Sequence, residues 1–176
     1  MTESLKQFNL ALNEARELLD CYDTLNAHPE IHLPSALKKA ALILILTAWE
    51  TYVEDVATEL FEQKFGVLKG CSLGAFAEKQ FKERLKFFHN PNSKKTKNLF
   101  EEFFDIDVSE HWKWNNVMPS DAREQLNIWI SKRGEAVHRS NVGTNQADIV
   151  KKAELPKCLN FFTELASVTD KVLEKI

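Results

Sequence analysis

The stretch SALKKAALILILTAWETYVEDVATELFEQKF, residues 35–65, predicts a long helix that other helices surround. Residues 40–46, AALILIL, are apolar on every side of a helix, which is typical of a helix buried around its whole circumference. A buried β-strand is the competing interpretation of so short an apolar run. The residues that follow favour the helix, because Trp49, Val53 and Leu60 keep a helical spacing with no Gly or Pro between them.

Capping residues and apolar periodicity predict further helices on both sides of this stretch. Apolar side chains at spacings of three and four mark a helix over about residues 2–27. Ser93 and Ser120 are expected to cap two later helices at their N-termini. The remaining predicted helices cover about residues 73–88 and the segment from Pro156 to the C-terminus. The predicted fold is an all-α bundle of about six helices with long antiparallel core helices.

Length and composition predict one domain over residues 1–176. The chain is 44% hydrophobic and contains only 5 Gly and 5 Pro, so few turns interrupt it. Its formal net charge is −3, which argues against a protein that coats nucleic acid through overall charge. A local basic site remains compatible with that charge.

The cysteines, the N-terminus and the short apolar runs predict a cytoplasmic protein without a membrane segment. Cys21, Cys71 and Cys158 are widely spaced and are expected to be reduced thiols. The N-terminal residues lack the apolar core of a signal peptide. The longest aliphatic run, residues 40–46, is far shorter than the ~20 residues that span a bilayer.

Familiar cofactor and metal motifs are missing from the sequence, so we predict neither a cofactor nor a metal. There is no Walker glycine loop, GxGxxG or GxSxG motif. HPEIH, residues 28–32, only superficially resembles the zinc motif HExxH. Its residue order is different and Pro29 interrupts the helix, so we interpret it as a surface turn.

The string SKRGEAVHRS contains the strongest functional candidate, an Arg-x4-His pair formed by Arg133 and His138. Such a pair also arises by chance in many proteins. In a straight helix, five residues place the two positions roughly 140° apart around the axis. The two residues can share one site if the helix frays near Gly134 to His138, or if two copies of the chain meet across a dimer axis.

Three features together resemble the HEPN superfamily, and most closely its RiboL-PSP and MAE-type bacterial groups. They are the helix ALILILTAWETYVEDVATEL, the stretch FHNPNSKKTKNLFEEFFDI, and the Arg-x4-His string followed by a final long helix. The resemblance implies a dimeric α-bundle and, for many members, a metal-independent endoribonuclease. It places Arg133 and His138 of both subunits in a cleft at the dimer interface. Many members have Asn after the Arg, whereas this chain has Gly134.

The resemblance implies a homodimer that cleaves RNA, as a toxin or an antiphage effector, with a cognate antitoxin as a candidate partner. Cleavage by the 2'-hydroxyl would give a 2',3'-cyclic phosphate. In that function Arg133 binds the scissile phosphate and His138 transfers the proton. The alternatives are a non-catalytic module that binds RNA, nucleotide or protein, and a helical adaptor in which the pair is accidental.

Supporting residues are predicted from charge. Lys132 and Arg139 flank the motif, and Lys94 and Lys95 belong to a lysine-rich stretch that either binds RNA or is an ordinary solvated surface. Glu50, beside Trp49, is a candidate to orient Arg133, although a surface glutamate is the alternative interpretation.

Overall fold

The computed structural model describes residues 1–26, 36–138 and 149–176, with the side chains of Asn26 and His138 outside the described set. Within these ranges the chain forms six α-helices and three short 3-10 helices, which confirms the predicted all-α fold. The α-helices are α1 (Glu3–Asn26), α2 (Ala36–Phe65), α3 (Ser72–Lys86), α4 (Ser93–Phe104), α5 (Pro119–His138) and α6 (Leu155–Leu173). The HPEIH segment and residues 139–148 lie outside the described residues.

Helix α2 is the centre of the bundle, as its apolar circumference predicts. It packs along α1 and also contacts α4, α5 and α6. Ser4 near the start of α1 bonds Glu59 near the end of α2, and the Phe8 ring lies 5.4 Å from the Tyr52 ring. Residue numbers therefore rise along α1 while they fall along α2, so these two long helices are antiparallel.

Aromatic side chains of α2 fill the core and satisfy their polar atoms there. The Trp49 ring lies 6.3 Å from the Trp112 ring and 5.9 Å from the Phe162 ring, measured between centroids. The Tyr52 hydroxyl donates a hydrogen bond of 3.1 Å to the Ala166 carbonyl in α6. Burial raises the pKa of Tyr52 well above its usual value, so this hydroxyl stays protonated as a donor.

A second aromatic cluster attaches α3 to the bundle. Phe81 stacks on Phe61 of α2 at 4.3 Å between ring centroids, and it meets Phe103 of α4 edge-on at 5.1 Å. Gly74 brings the start of α3 against the 3-10 helix Gly66–Leu68, since a Cβ at position 74 would lie 2.0 Å from the Leu68 carbonyl oxygen. Phe81 and Gly74 are the buried residues of α3, so most of this helix faces outward.

Two predicted helix caps are wrong by one or two residues. The Asn92 side chain caps α4 by accepting the Lys95 N–H at 2.9 Å, because Ser93 already lies inside the helix and donates instead to Asn127. Helix α5 begins at Pro119, ahead of Ser120. Pro favours the first helical turn, where its missing N–H leaves no bond unmade.

No helix in the described ranges combines the length and the hydrophobicity that crossing a bilayer requires.

We expect Phe81→Ala to lower the free energy of unfolding by about 3–5 kcal/mol, because it empties the ring site between α2, α3 and α4. Phe76→Ala removes the same ring from the exposed side of α3 and should change the free energy by less than about 0.5 kcal/mol. Urea denaturation followed by circular dichroism measures both values. Equal losses in the two variants would contradict this account of how α3 is held.

Candidate functional site

Arg133 of α5 and Glu50 of α2 form a partly buried ion pair. Arg133 Nη1 donates a hydrogen bond of 2.7 Å to Glu50 Oε2. The two side chains are only 18% and 15% exposed. Because water screens such a pair less than one on the surface, its partners are held in a defined geometry. The structure thus brings together Arg133 and the glutamate that the sequence offered to orient it.

Asn90, in the turn between α3 and α4, joins this pair from a third direction. Its Oδ1 accepts a second hydrogen bond of 2.7 Å from Arg133 Nη1, and its backbone N–H donates to Glu50 Oε1 at 3.0 Å. Asn90 has φ of 52°, in the left-handed region that Asn tolerates better than most residues. One residue therefore bonds both members of the ion pair.

The turn that carries Asn90 is bonded to two other helices, α2 and α5. The Trp49 indole N–H donates to the Pro91 carbonyl at 3.1 Å. The Ser93 N–H and hydroxyl both donate to Asn127 Oδ1 of α5 at 3.0 Å. The position of Asn90 beside Arg133 is therefore set by buried and partly buried bonds to α2 and α5.

The remaining donors of the Arg133 guanidinium are less occupied. Nη2 makes a long hydrogen bond of 3.5 Å to Thr47 Oγ1. Nε is buried, and none of the residues that the structure describes accepts a hydrogen bond from it. A guanidinium offers five N–H donors in a planar fork, so Arg133 keeps donor capacity on the edge turned away from Glu50. Guanidinium donors of this kind suit an oxyanion such as a phosphate, and such a ligand would reach the buried Nε only if the side chain moved.

His89 lies beside the same carboxylate. Its Nδ1 is 3.8 Å from Glu50 Oε1, and its side chain is largely exposed. Glu50 therefore stands between a guanidinium and an imidazole. His89 and Asn90 come from one turn, which makes that turn part of the site.

The other predicted supporting residues have different surroundings. Lys132 donates a hydrogen bond of 2.7 Å to Glu154 and lies 5.0 Å from the centre of the Trp129 ring. This bond with Lys132 is the main reason that the pKa of Glu154 is lowered. Lys94 and Lys95 are exposed at the start of α4, and the Lys95 ammonium also bonds the His89 carbonyl.

His138 is the last residue of α5, and its side chain and all of Arg139 lie outside the described residues. The helix is continuous from Gly134 to its end at His138, so of the two alternatives the structure contradicts fraying, and the meeting of two copies stays a prediction. A Cβ at position 134 would meet nothing within 4 Å, and a helical backbone accepts glycine despite its lower propensity. The backbone positions 133 and 138 are therefore roughly 140° apart around the helix axis.

The comparison with protein families is decisive for the identity of the fold. The model of the RiboL-PSP-HEPN family matches residues 10–175. The chain belongs to the RiboL-PSP-HEPN family. No curated protein and no solved structure matches it. Within the described ranges of this RiboL-PSP-HEPN chain, no group of three or more His, Cys, Asp or Glu side chains is arranged to hold a metal ion.

Sequence reasoning missed two contacts of Arg133 in this RiboL-PSP-HEPN site, Asn90 and Thr47. Asn90 had a usable signal, because an Asn before Pro in a turn is suited to unusual backbone geometry. Thr47 had none beyond its place one helical turn before Glu50.

We expect Asn90→Ala to be less stable than Asn90→Gly by about 1 kcal/mol, because alanine disfavours left-handed backbone geometry and glycine does not. Both variants lose the bond to Arg133, so their difference isolates the backbone term. Urea denaturation of the two proteins measures it. Identical midpoints and slopes would show that position 90 is not constrained to a left-handed geometry.

Proposed function

We propose that this chain is a metal-independent endoribonuclease whose site is completed by a second copy. The observation that carries the proposal is the guanidinium of Arg133, held by Glu50 and Asn90 with its other edge less occupied. Electrostatic groups positioned before the reaction are often the largest contributors to catalysis. Membership of the RiboL-PSP-HEPN family supports a ribonuclease over other phosphate chemistry.

The reaction uses a nucleophile that RNA supplies itself. The 2'-hydroxyl oxygen attacks the adjacent phosphorus, its proton passes to a base, and the bond from phosphorus to the 5'-oxygen breaks as that oxygen gains a proton. The products are a 2',3'-cyclic phosphate and a 5'-hydroxyl. Arg133 would stabilise the extra negative charge on the phosphorane, and His138 would transfer a proton near neutral pH.

Helix geometry supports a site shared between two copies. Position 133 faces the core with Glu50, whereas position 138 lies on the side of α5 that carries the exposed Ser131. One straight helix therefore directs the two positions apart. A symmetric dimer would bring position 138 of one subunit toward Arg133 of the other, as closed homodimers permit.

A toxin or antiphage effector that a cognate antitoxin restrains is the biological role we propose for this activity. Lys132, Arg139, Lys94 and Lys95 are the proposed contacts to the RNA backbone.

A non-catalytic module that binds RNA or nucleotide is the second candidate. Two observations favour it: Glu50 compensates the charge of Arg133, and Gly134 stands where many family members have Asn. Such a module would bind the same ligands and leave them intact.

Purified protein is expected to cleave single-stranded RNA in EDTA and to leave 2',3'-cyclic phosphate ends. Arg133→Ala and His138→Ala should each lower the rate by about 100-fold or more, as the loss of a charge-stabilising or proton-transferring group does. His111→Ala is the matched control, because it removes an exposed imidazole outside the Arg133 site, and it should retain most activity. Cleavage that stops with the chelator, or that survives His138→Ala, would refute the mechanism. Intact RNA with retained binding would favour the second candidate.

An equimolar mixture of the two inactive variants tests the shared site directly. If Arg133 of one subunit acts with His138 of the other, half of the dimers are mixed and each has one intact site, so activity returns to about a quarter of wild type. Rate measurements after co-refolding give this fraction. No recovery, or a monomer by light scattering, would contradict the shared site.

Gly134→Asn should raise the cleavage rate, because the amide would restore the residue that many family members place after the Arg. Gly134→Ala is its control, since it gains about 0.5–1 kcal/mol of helix stability without an amide. Comparison of kcat/KM separates the two effects. Equal rates in both variants would exclude a role for the amide.

A further inference from the structure

The outward side of α3 carries aromatic side chains that the fold does not use. Phe76 is 61% exposed, and Phe87, directly after the helix, is 73% exposed. Phe81 alone among the phenylalanines of α3 is buried. Exposed aromatic rings in a row mark an interaction surface more often than isolated apolar residues do.

The two exposed rings lie on one side of the helix. Phe76 and Phe87 are eleven positions apart in the sequence, which is close to three full turns, or roughly 16 Å along the axis. Stacked bases in a nucleic-acid strand rise about 3.4 Å each, so roughly five nucleotides would cover this distance. The spacing fits two stacking positions near the ends of a short single strand.

A row of lysines runs beside the rings. Lys79, Lys82 and Lys86 line a shallow groove of about 390 Å³ along α3. Glu78 and Glu83 share this groove and pair with Lys82 and Lys79. The groove keeps a net positive charge, because its three lysines face two glutamates and the structure gives Lys86 no acidic partner among the described residues. The surface therefore complements a polyanion.

The same surface leads into the Arg133 site. His89 and Asn90 lie two and three positions after Phe87, and the Asn90 side chain accepts a hydrogen bond from Arg133. A strand lying along α3 would therefore end beside the turn that holds the guanidinium.

We propose that α3 binds single-stranded RNA and feeds it to the Arg133 site, an inference that rests on the proposed function. Bases stack on Phe76 and Phe87, while Lys79, Lys82 and Lys86 contact phosphates; these five residues form the α3 track. Stacking on aromatic rings accepts any base and requires that the base be unpaired. Duplex RNA hides its base faces, so the track selects single strands.

The test measures binding of a fluorescent 12-nucleotide 2'-O-methyl RNA to the full-length protein by anisotropy. This probe lacks the 2'-hydroxyl nucleophile, so binding is read without cleavage. Phe76→Ala and Phe87→Ala should each weaken binding roughly 5- to 100-fold, the range for loss of one stacked base. Lys86→Ala should reduce the slope of log affinity against log salt by about 0.7, as expected for one phosphate contact on a single strand. A duplex of the same sequence should bind more weakly.

Leu73→Ala is the matched control, because Leu73 is as exposed as Phe76 on the same helix but has no ring to stack on a base. It should bind the probe as wild type does. Three outcomes would overturn the proposal: unchanged binding in both Phe variants, equal losses in Leu73→Ala, or a Phe76→Ala change in oligomeric state, which would assign the surface to a second copy. All variants lie on the exposed side and should unfold like wild type.

Failure of the proposed function looks different. Wild-type protein that binds the probe through the α3 track but leaves ordinary RNA intact would refute cleavage and keep the track. The opposite result is also distinguishable. If Phe76→Ala and Phe87→Ala bind the probe and cleave subsaturating RNA as wild type does, the α3 track is refuted and the proposed cleavage is kept.

Discussion

The burial of most sides of α2, with its apolar segment at residues 40–46, is the constraint on which the rest of the structure depends. The side chains of residues 40–46, AALILIL, are all buried or half-buried, whereas Thr47, Thr51 and Asp55 form an exposed stripe, so α1, α4, α5 and α6 cover the other sides of α2. The positions of these covering helices determine the surroundings of each polar residue of α2. Glu50 lies where α5 and the turn before α4 both approach α2, and a carboxylate in such a place needs partners.

Arg133 and Asn90 are those partners, and their arrangement follows from the desolvation of Glu50. Removing either partner would leave a partly buried charge with fewer hydrogen bonds, which costs more than the bonds themselves contribute. The site is therefore stable for reasons of packing, whatever chemistry it serves. The chemical question concerns only the edge of the guanidinium that Glu50 and Asn90 leave less occupied.

Periodicity and composition were enough to predict the helices, because long apolar stripes and few Gly or Pro leave little choice of secondary structure. The bounds of α2 agree with the prediction within a residue. The pairing of Glu50 with Arg133 could be suggested, since an acidic residue among buried aromatics needs a cation. Asn90 and Thr47 could not be placed, because their contacts depend on how α2, α5 and a turn meet in space. The N-cap of α4 was predicted one residue too late, because Asn92 and Ser93 are both good capping residues. In the structure Asn92 caps the helix, while Ser93 bonds Asn127 of α5.

The left-handed turn at Asn90 connects the end of α3 to the Arg133 site. This connection is short, and hydrogen bonds join it to α2 through Glu50 and Trp49 and to α5 through Arg133 and Asn127. The C-terminal end of α3 leads directly into this turn, so a ligand on that end and a ligand on the guanidinium would act on the same bonds. Thermodynamic linkage makes such coupling reciprocal: a ligand that orders α3 favours one guanidinium geometry, and a ligand on the guanidinium orders α3 to the same extent. The turn thus places the end of α3 and the Arg133 guanidinium on one shared set of hydrogen bonds.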